Sequence, residues 1–362
     1  MSLQENIESI LIKLIEIPSA TADLAACREI IDHTERALVG LPLHIQTDFG
    51  RDHPWLLATT RPGMTPRILL CAHLDAVPAS HPDQYQPKLE GDRLYGRGSY
   101  DMKFAAACFI ELLHQQADNL GNMDFGVLFT TDEEQSGQSV ADLTANGLRP
   151  EITIIPDSSR AWQIEHKAKG LLIAKLTAHG RNAHSSRPWE GENALTTLLS
   201  ALQVLRQDYQ NEDRMAPTLS LNRINTDEKG VSQLPDTASA VLDFRAFERD
   251  AIESYRQQLT KLSKEHGLTL ETQAAGDPVN LDQSNPLVQR FFDVYEQKIG
   301  PLAFNEAFGT TDGRHFAHHD IPAIVISIRG NDFHGPEEWI DRRDLVPFYG
   351  LVESYILQQA AA

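Results

Sequence analysis

"FGVLFTTDEEQSG", residues 125–137, runs a continuous apolar segment into three adjacent carboxylates, Asp132, Glu133 and Glu134, and then into a small polar turn. Alone, an acidic triplet reads as a solvated turn. A short unbroken apolar run ending in turn residues reads as a strand buried on both faces, as in a parallel sheet. The same texture recurs in "RILLCAHLD" (67–75) and "EITIIPD" (151–157), with the helical "MKFAAACFIELLHQQ" (102–116) between them. Strands alternating with helices predict an α/β domain with a largely parallel sheet.

From about Lys167 the pattern changes. It becomes strand "GLLIAKLTAHG", helix "NALTTLLSALQVLRQ", strands "TLSLNRIN" and "ASAVLDFRAF", helix "AIESYRQQLTKLSKEHG" and strand "LTLETQA". That order is βαββαβ, a ferredoxin-like unit. The α/β texture then resumes with helix "NPLVQRFFDVYEQKIG" and strand "AIVISI". The expectation is a discontinuous domain, residues 1–166 and 275–362, interrupted by an inserted domain at 167–274.

Composition narrows the function classes. The chain has 362 residues, and its net charge of −19 disfavours nucleic acid and anionic membranes as partners. No apolar run is long enough to span a bilayer. The N-terminus lacks a basic region and a cleavage site, and reads as an amphipathic helix with Ile7, Ile10, Leu11, Leu14 and Ile15 on one face. Cys27, Cys71 and Cys108 form no CxxC spacing and are odd in number, so a disulfide framework is not expected and the cytoplasm is.

Open α/β sheets bind ligands outside the carboxyl ends of their strands. There the apolar runs deliver His73 and Asp75, Glu133 and Glu134, Asp157, and, a few residues on, His334. Asp101, in "LYGRGSYDMKFAAACF", opens a long apolar helix, and alone would be an acid favoured by the helix macrodipole. Two histidines with several carboxylates and no thiolate suit zinc or a similar divalent ion. The H-E-x-x-H helix of single-zinc peptidases is absent. Asp75, alternating with His73, can hold the other imidazole N–H. Of the adjacent pair Glu133 and Glu134, one can bind metal while its neighbour acts as general base.

In order and spacing, "HLDAVP", "GRGSYDMK", "TTDEEQSG", "GTTDGRHF" and "HGPEE" resemble the motifs of the dizinc metallopeptidases and deacylases. That family includes carboxypeptidase G, aminoacylase, acetylornithine deacetylase, succinyl-diaminopimelate desuccinylase, and several aminopeptidases and dipeptidases. The resemblance covers essentially the whole chain and implies two Zn2+ ions, or Co2+ or Mn2+ in their place. It implies that Asp101 bridges both ions, with His73 and Asp157 on one and Glu134 and His334 on the other. By the same resemblance Glu133 is the general base and Asp75 the partner of His73. The inserted domain corresponds to a lid and homodimerisation surface. From it His184 reaches the active site of a neighbouring subunit to polarise the scissile carbonyl, and Arg245 contacts a substrate carboxylate. Gly309, Thr310 and Arg314 match a substrate-side loop.

Three positions depart from the family pattern. Asp157 stands where deacetylase-like members carry Glu, and is similar to the aminopeptidase and dipeptidase branches. Ser232 replaces the usual Asn in "VSQLPD", and Phe104 replaces a glycine after "DMK". The implied reaction is amide hydrolysis of a small N-acyl amino acid or a short peptide. Acetylornithine deacetylase-like chemistry competes with an aminopeptidase or dipeptidase reading. A non-catalytic metal-binding dimer would be expected to have lost the base or a ligand, and neither loss is seen. His315, His318 and His319 in "HFAHHD" read as a surface helical cluster.

Overall fold

The computed structural model describes residues 1–49, 53–207, 213–227 and 230–359. The chain divides into two compact units. The larger comprises residues 1–166, 281–307 and 311–362; the smaller comprises 167–280 and 308–310. The smaller unit runs to Asn280, beyond the 274 expected from sequence, and also takes in Phe308–Thr310.

The larger unit is built on a sheet ordered His44–Asp48, Trp55–Thr59, Phe125–Thr130, Ile68–His73, Ile152–Ile155, Ala323–Val325, Ile164–Ala168. The four strands from Phe125–Thr130 to Ala323–Val325 are mutually parallel, and the flanking strands are antiparallel. Every residue of Ile68–His73, Phe125–Thr130 and Ile152–Ile155 is buried, which is why these strands read as unbroken apolar runs. Helix Phe104–Gln115 is buried from Phe104 through Leu113, with Phe104 packed edge-on against Phe348 at 5.3 Å. Phe104 therefore belongs to the core. Helix Leu3–Glu16 buries Ile7, Leu11, Leu14 and Ile15, leaving Ile10 half-buried. Its first turn is closed by a capping box between Ser2 and Glu5, a device whose cap residue alone is typically worth about 1 kcal/mol.

A second, small sheet of this unit joins Gly330–Asn331, Trp339–Asp341, Arg93–Tyr95 and Lys88–Glu90. Gly330 pairs with Ile340 and Asn331 with Trp339, so residues 332–338 form the connecting loop.

The smaller unit is a four-stranded antiparallel sheet ordered Thr218–Thr226, Thr237–Ala246, Gly170–His179, Thr269–Gly276. Helices Ala194–Gln207 and Arg249–His266 complete the βαββαβ order. Strand Thr237–Ala246 alternates buried and half-buried residues at each step. Its inward side chains join Leu172, Leu176, Leu198, Leu202 and Tyr255 in one apolar cluster. Phe244 stacks on Tyr255 at 4.2 Å.

Candidate active site

The central parallel strands end on the chemistry. His73 closes its strand opposite Thr130, and the backbone after Thr130 turns through Asp132, Glu133 and Glu134. Asp132 is fully buried and organises this turn. Its carbonyl accepts from Ser136 N (2.9 Å) and Gly137 N (2.8 Å), and its Oδ2 accepts from Ser139 N at 2.8 Å. It is a turn-capping acid.

Asp75 ties the His73 strand to the acidic pair. Its carboxylate accepts from Glu133 N (3.4 Å), Glu134 N (3.3 Å) and Thr21 Oγ1 (2.8 Å). His73 Nδ1 lies 3.1 Å from the Asp75 carbonyl oxygen and 3.5 Å from Asp75 Oδ1. The backbone oxygen is thus the nearer partner of this ring nitrogen. Thr21 has no motif around it, and nothing in the sequence singles it out.

Asp101 and His334 do not arrive on the strands of the large sheet. Helix Phe104–Gln115 begins after Asp101, which sits in the preceding turn with φ −121° and ψ 91°. The sequence placed Asp101 at the helix start; a macrodipole role does not apply to it. His334 comes from the loop of the small sheet and holds φ +63°, a left-handed conformation that costs a non-glycine residue roughly 1–2 kcal/mol. Asp101 Oδ1 lies 2.9 Å from His73 Nε2, and Asp101 Oδ2 lies 3.1 Å from His334 Nε2. The same His334 Nε2 is 3.0 Å from Glu134 Oε2. One carboxylate therefore stands between two imidazoles, each addressing a different oxygen.

This donor set fits divalent cations. His334 Nε2 faces two carboxylate oxygens, and a single N–H cannot serve both well. Glu134 Oε1 is buried without a hydrogen-bond partner. Two overlapping clusters, His73/Asp101/Glu134 and His73/Glu133/Asp157, each hold ligand atoms within 4.8 Å of one another. Electrostatics agree. Burial, then the charges of Asp101 and Glu133, pushes the Asp157 carboxyl well above the usual range. Burial and Asp312 push Glu133 up to about 8 against the pull of His73 and Arg314. Burial would also raise Asp101, but hydrogen bonds from His334 and His73 hold it below its ordinary value. Acids so crowded ionise together when a cation sits among them.

Arg314 is buried, and its guanidinium donates to Ser136 O (2.7 Å) and Thr311 O (3.1 Å) while Nη1 stands 3.7 Å from Glu133 Oε1. These contacts brace the acidic turn. His315 Nε2 is buried rather than at the surface, whereas His318 is exposed. Gly137 (φ +60°) leaves room for this cluster. A Cβ there would lie 2.3 Å from Asp312 Oδ1, 2.7 Å from Arg314 Nη2 and 2.8 Å from His315 Nε2.

The larger unit thus gathers His73, Asp75, Asp101, Glu133, Glu134, Asp157, His334 and Arg314; His184, Arg245, Gly309 and Thr310 lie in the smaller unit. His184 is exposed, its Nδ1 2.8 Å from Ser186 Oγ, and bridges to Gln233 beside Ser232. Arg245 is already engaged, donating from Nε and Nη2 to both oxygens of Asp243 at 3.0 and 3.1 Å.

Comparison with known proteins places these features in a lineage. Succinyl-diaminopimelate desuccinylase of Corynebacterium glutamicum is 28% identical over 361 residues, spanning 95% of this chain and 94% of its own. The fold is similar to that of aminopeptidase PepT from Bacillus cereus, with TM-score 0.76, 17% identity and 98% of each chain covered. It is also similar to an M20 family metallo-carboxypeptidase of Sulfolobus solfataricus, with TM-score 0.74, 16% identity, and 97% and 98% coverage. Among the described residues no helix is long and apolar enough to cross a membrane. The model of peptidase family M20/M25/M40 matches residues 69–358, and the chain belongs to that family of metal-dependent hydrolases acting on amide bonds.

Proposed function

We propose that this protein hydrolyses the amide bond of an N-acyl amino acid. The observation that carries the reading is Asp101, whose two oxygens meet His73 at 2.9 Å and His334 at 3.1 Å, with Glu133 beside them. His73 and Asp157 would hold one divalent cation, Glu134 and His334 the other, and Asp101 both. Bound there, two zinc ions, or cobalt or manganese, would lower the pKa of the attacking water, polarise the scissile carbonyl and stabilise the oxyanion. Glu133 takes the proton from the water as its oxygen attacks the carbonyl carbon. It then delivers that proton to the amine nitrogen as the C–N bond breaks. Arg314 braces the turn that aims Glu133, and Asp75 fixes the His73 ring. His184 is assigned the oxyanion donor; losing such a donor typically costs about 10²–10³ in rate. Arg245 would pair with a substrate carboxylate, which must share the guanidinium with Asp243.

The full-length likeness to a succinyl-diaminopimelate desuccinylase supports the deacylase side and makes N-succinyl alongside N-acetyl amino acids the first substrates to try. Asp157, in place of the deacetylase-like Glu, favours a second reading as an aminopeptidase or dipeptidase. The assigned setting is a cytoplasmic homodimer formed through the smaller unit. Three buried free thiols suit a reducing compartment. The test is metal analysis coupled to a panel of N-acetyl and N-succinyl amino acids and free dipeptides, with and without chelator. Turnover of dipeptides alone selects the peptidase reading. Two zinc equivalents with no hydrolysis of any class would overturn the mechanism.

A further inference from the structure

Behind the acidic centre lies a buried ion pair that no step above uses. Arg97 and Glu338 are each 1% exposed, and Arg97 Nη1 donates to Glu338 Oε2 at 2.8 Å. An ion pair so deep has a large desolvation cost, so by itself it is weak evidence of net stabilisation.

The remaining contacts of the pair point in two directions. Glu338 Oε2 also accepts from Gly98 N at 2.8 Å, while Oε1 accepts from Tyr100 N at 2.9 Å and Asp101 N at 3.1 Å. One carboxylate thereby gathers three amides of one turn, the last belonging to Asp101 itself. The Arg97 guanidinium reaches the other way. Its Nη2 donates to Gly335 O at 2.8 Å and His334 O at 3.3 Å. Gln84 Nε2 adds a second bond to Gly335 O at 3.1 Å. His334 is held in a left-handed conformation, and Asp101 in a non-helical one. The left-handed backbone of His334 is one that a non-glycine residue keeps where its surroundings hold it, and the two carbonyl contacts from Arg97 do so.

We propose that Arg97 and Glu338 are positioning residues. They form one rigid clamp that holds Asp101 and His334 in register, so that Asp101 Oδ2 and His334 Nε2 present a pre-arranged pair to a cation. The inference rests on the metal-site reading above. Its chemistry is that of a fork: the guanidinium grips the carbonyls of the histidine loop and the carboxylate at once, while the carboxylate grips the turn bearing Asp101. Partners lying behind metal ligands typically contribute about 10–100-fold in metal affinity, and this clamp is placed to do so for the ion on the Glu134 and His334 side, both of whose clamped ligands it holds, and to a lesser degree for the other ion through the shared Asp101.

The test titrates Zn2+ into chelator-stripped wild-type protein, Glu338→Gln and Arg97→Lys, against a competing chromogenic chelator. Circular dichroism and the melting temperature of each stripped protein are followed alongside. Wild type is expected to take two equivalents. Folded Glu338→Gln is expected to bind the ion on the Glu134 and His334 side about 10–100-fold more weakly, with a smaller loss at the other ion that shares Asp101, and with kcat falling while KM changes little. Arg97→Lys keeps the charge but loses the fork that grips the His334 loop, and is expected to show the defect on the Glu134 and His334 side in milder form. Should Glu338→Gln fail to fold, the Arg97→Lys titration decides between the clamp and its absence. Wild-type affinity at both sites in a folded variant overturns the clamp and leaves the metal-site reading standing. No zinc uptake by wild type overturns both.

Discussion

Glu133→Gln is the most direct perturbation of the proposed chemistry. The amide keeps the shape of the side chain. The contact that ties this position to Asp75 is made by the backbone, Glu133 N to Asp75 Oδ1, and survives the change. The contacts among Asp101, His73, His334 and Glu134 do not involve Glu133. What disappears is acceptance and return of a proton, together with the 3.7 Å charge contact to Arg314 Nη1, whose guanidinium keeps its bonds to Ser136 O and Thr311 O. General acid–base catalysis contributes about 10²–10⁴-fold, or about 2.7–5.4 kcal/mol of barrier. The substitution also removes a buried acid already pushed up to about 8 by burial and Asp312, so the fold should not suffer for its loss. Steady-state kinetics on the best substrate of the panel, metal content by atomic spectroscopy and a thermal melt would be measured on one preparation. The expected result is kcat lower by about 10²–10⁴-fold, with KM and zinc content unchanged. A kcat within about tenfold of wild type would show that another group moves the proton. Zinc lost together with activity would recast Glu133 as a ligand, for which its cluster with His73 and Asp157 gives a geometric basis.

Other outcomes follow from the same structure. A strong chelator should abolish turnover, and added Zn2+, Co2+ or Mn2+ should restore it; activity that survives complete metal removal refutes the two-ion reading. Gly137→Ala places a methyl 2.3 Å from Asp312 Oδ1 at φ +60°, so both stability and kcat should fall, the backbone alone costing about 1–2 kcal/mol; a melt and rate equal to wild type would count against the packed Asp312–Arg314–His315 cluster. Glu165 is buried and its carboxyl is raised from 4.5 to about 7 by burial, against the pull of Ser158 and Asn305. Because its folded pKa exceeds its unfolded one, ionising it costs stability; that cost is absent below pH 4.5 and grows until pH passes about 7, reaching on the order of 3 kcal/mol. Glu165→Gln should therefore flatten this part of the stability profile of the chelated protein; parallel wild-type and variant melting curves from pH 4.5 to about 7 would refute it.

The sequence by itself determined those features whose signal is local. Strands buried on both faces must be apolar throughout, so Ile68–His73, Phe125–Thr130 and Ile152–Ile155 announce themselves, together with the ligands at their ends. The six elements of the smaller unit follow from period-2 and period-3.6 patterning in the same way. The antiparallel flank His44–Asp48 and Trp55–Thr59 escaped, as did the small sheet, whose two- and three-residue strands are too short to carry a period. That small sheet decides how His334 reaches Asp101. Only the tertiary structure could assign Arg314 to bracing the acidic turn, through Ser136 O, 178 positions away. Only it could join Thr21 to Asp75, and Arg97 to Glu338 across 241 positions. The physical reason is common to these last cases. A residue type and its spacing declare what a side chain can do, whereas the partner that commits its hydrogen bonds is chosen by chain segments that meet only in the folded state.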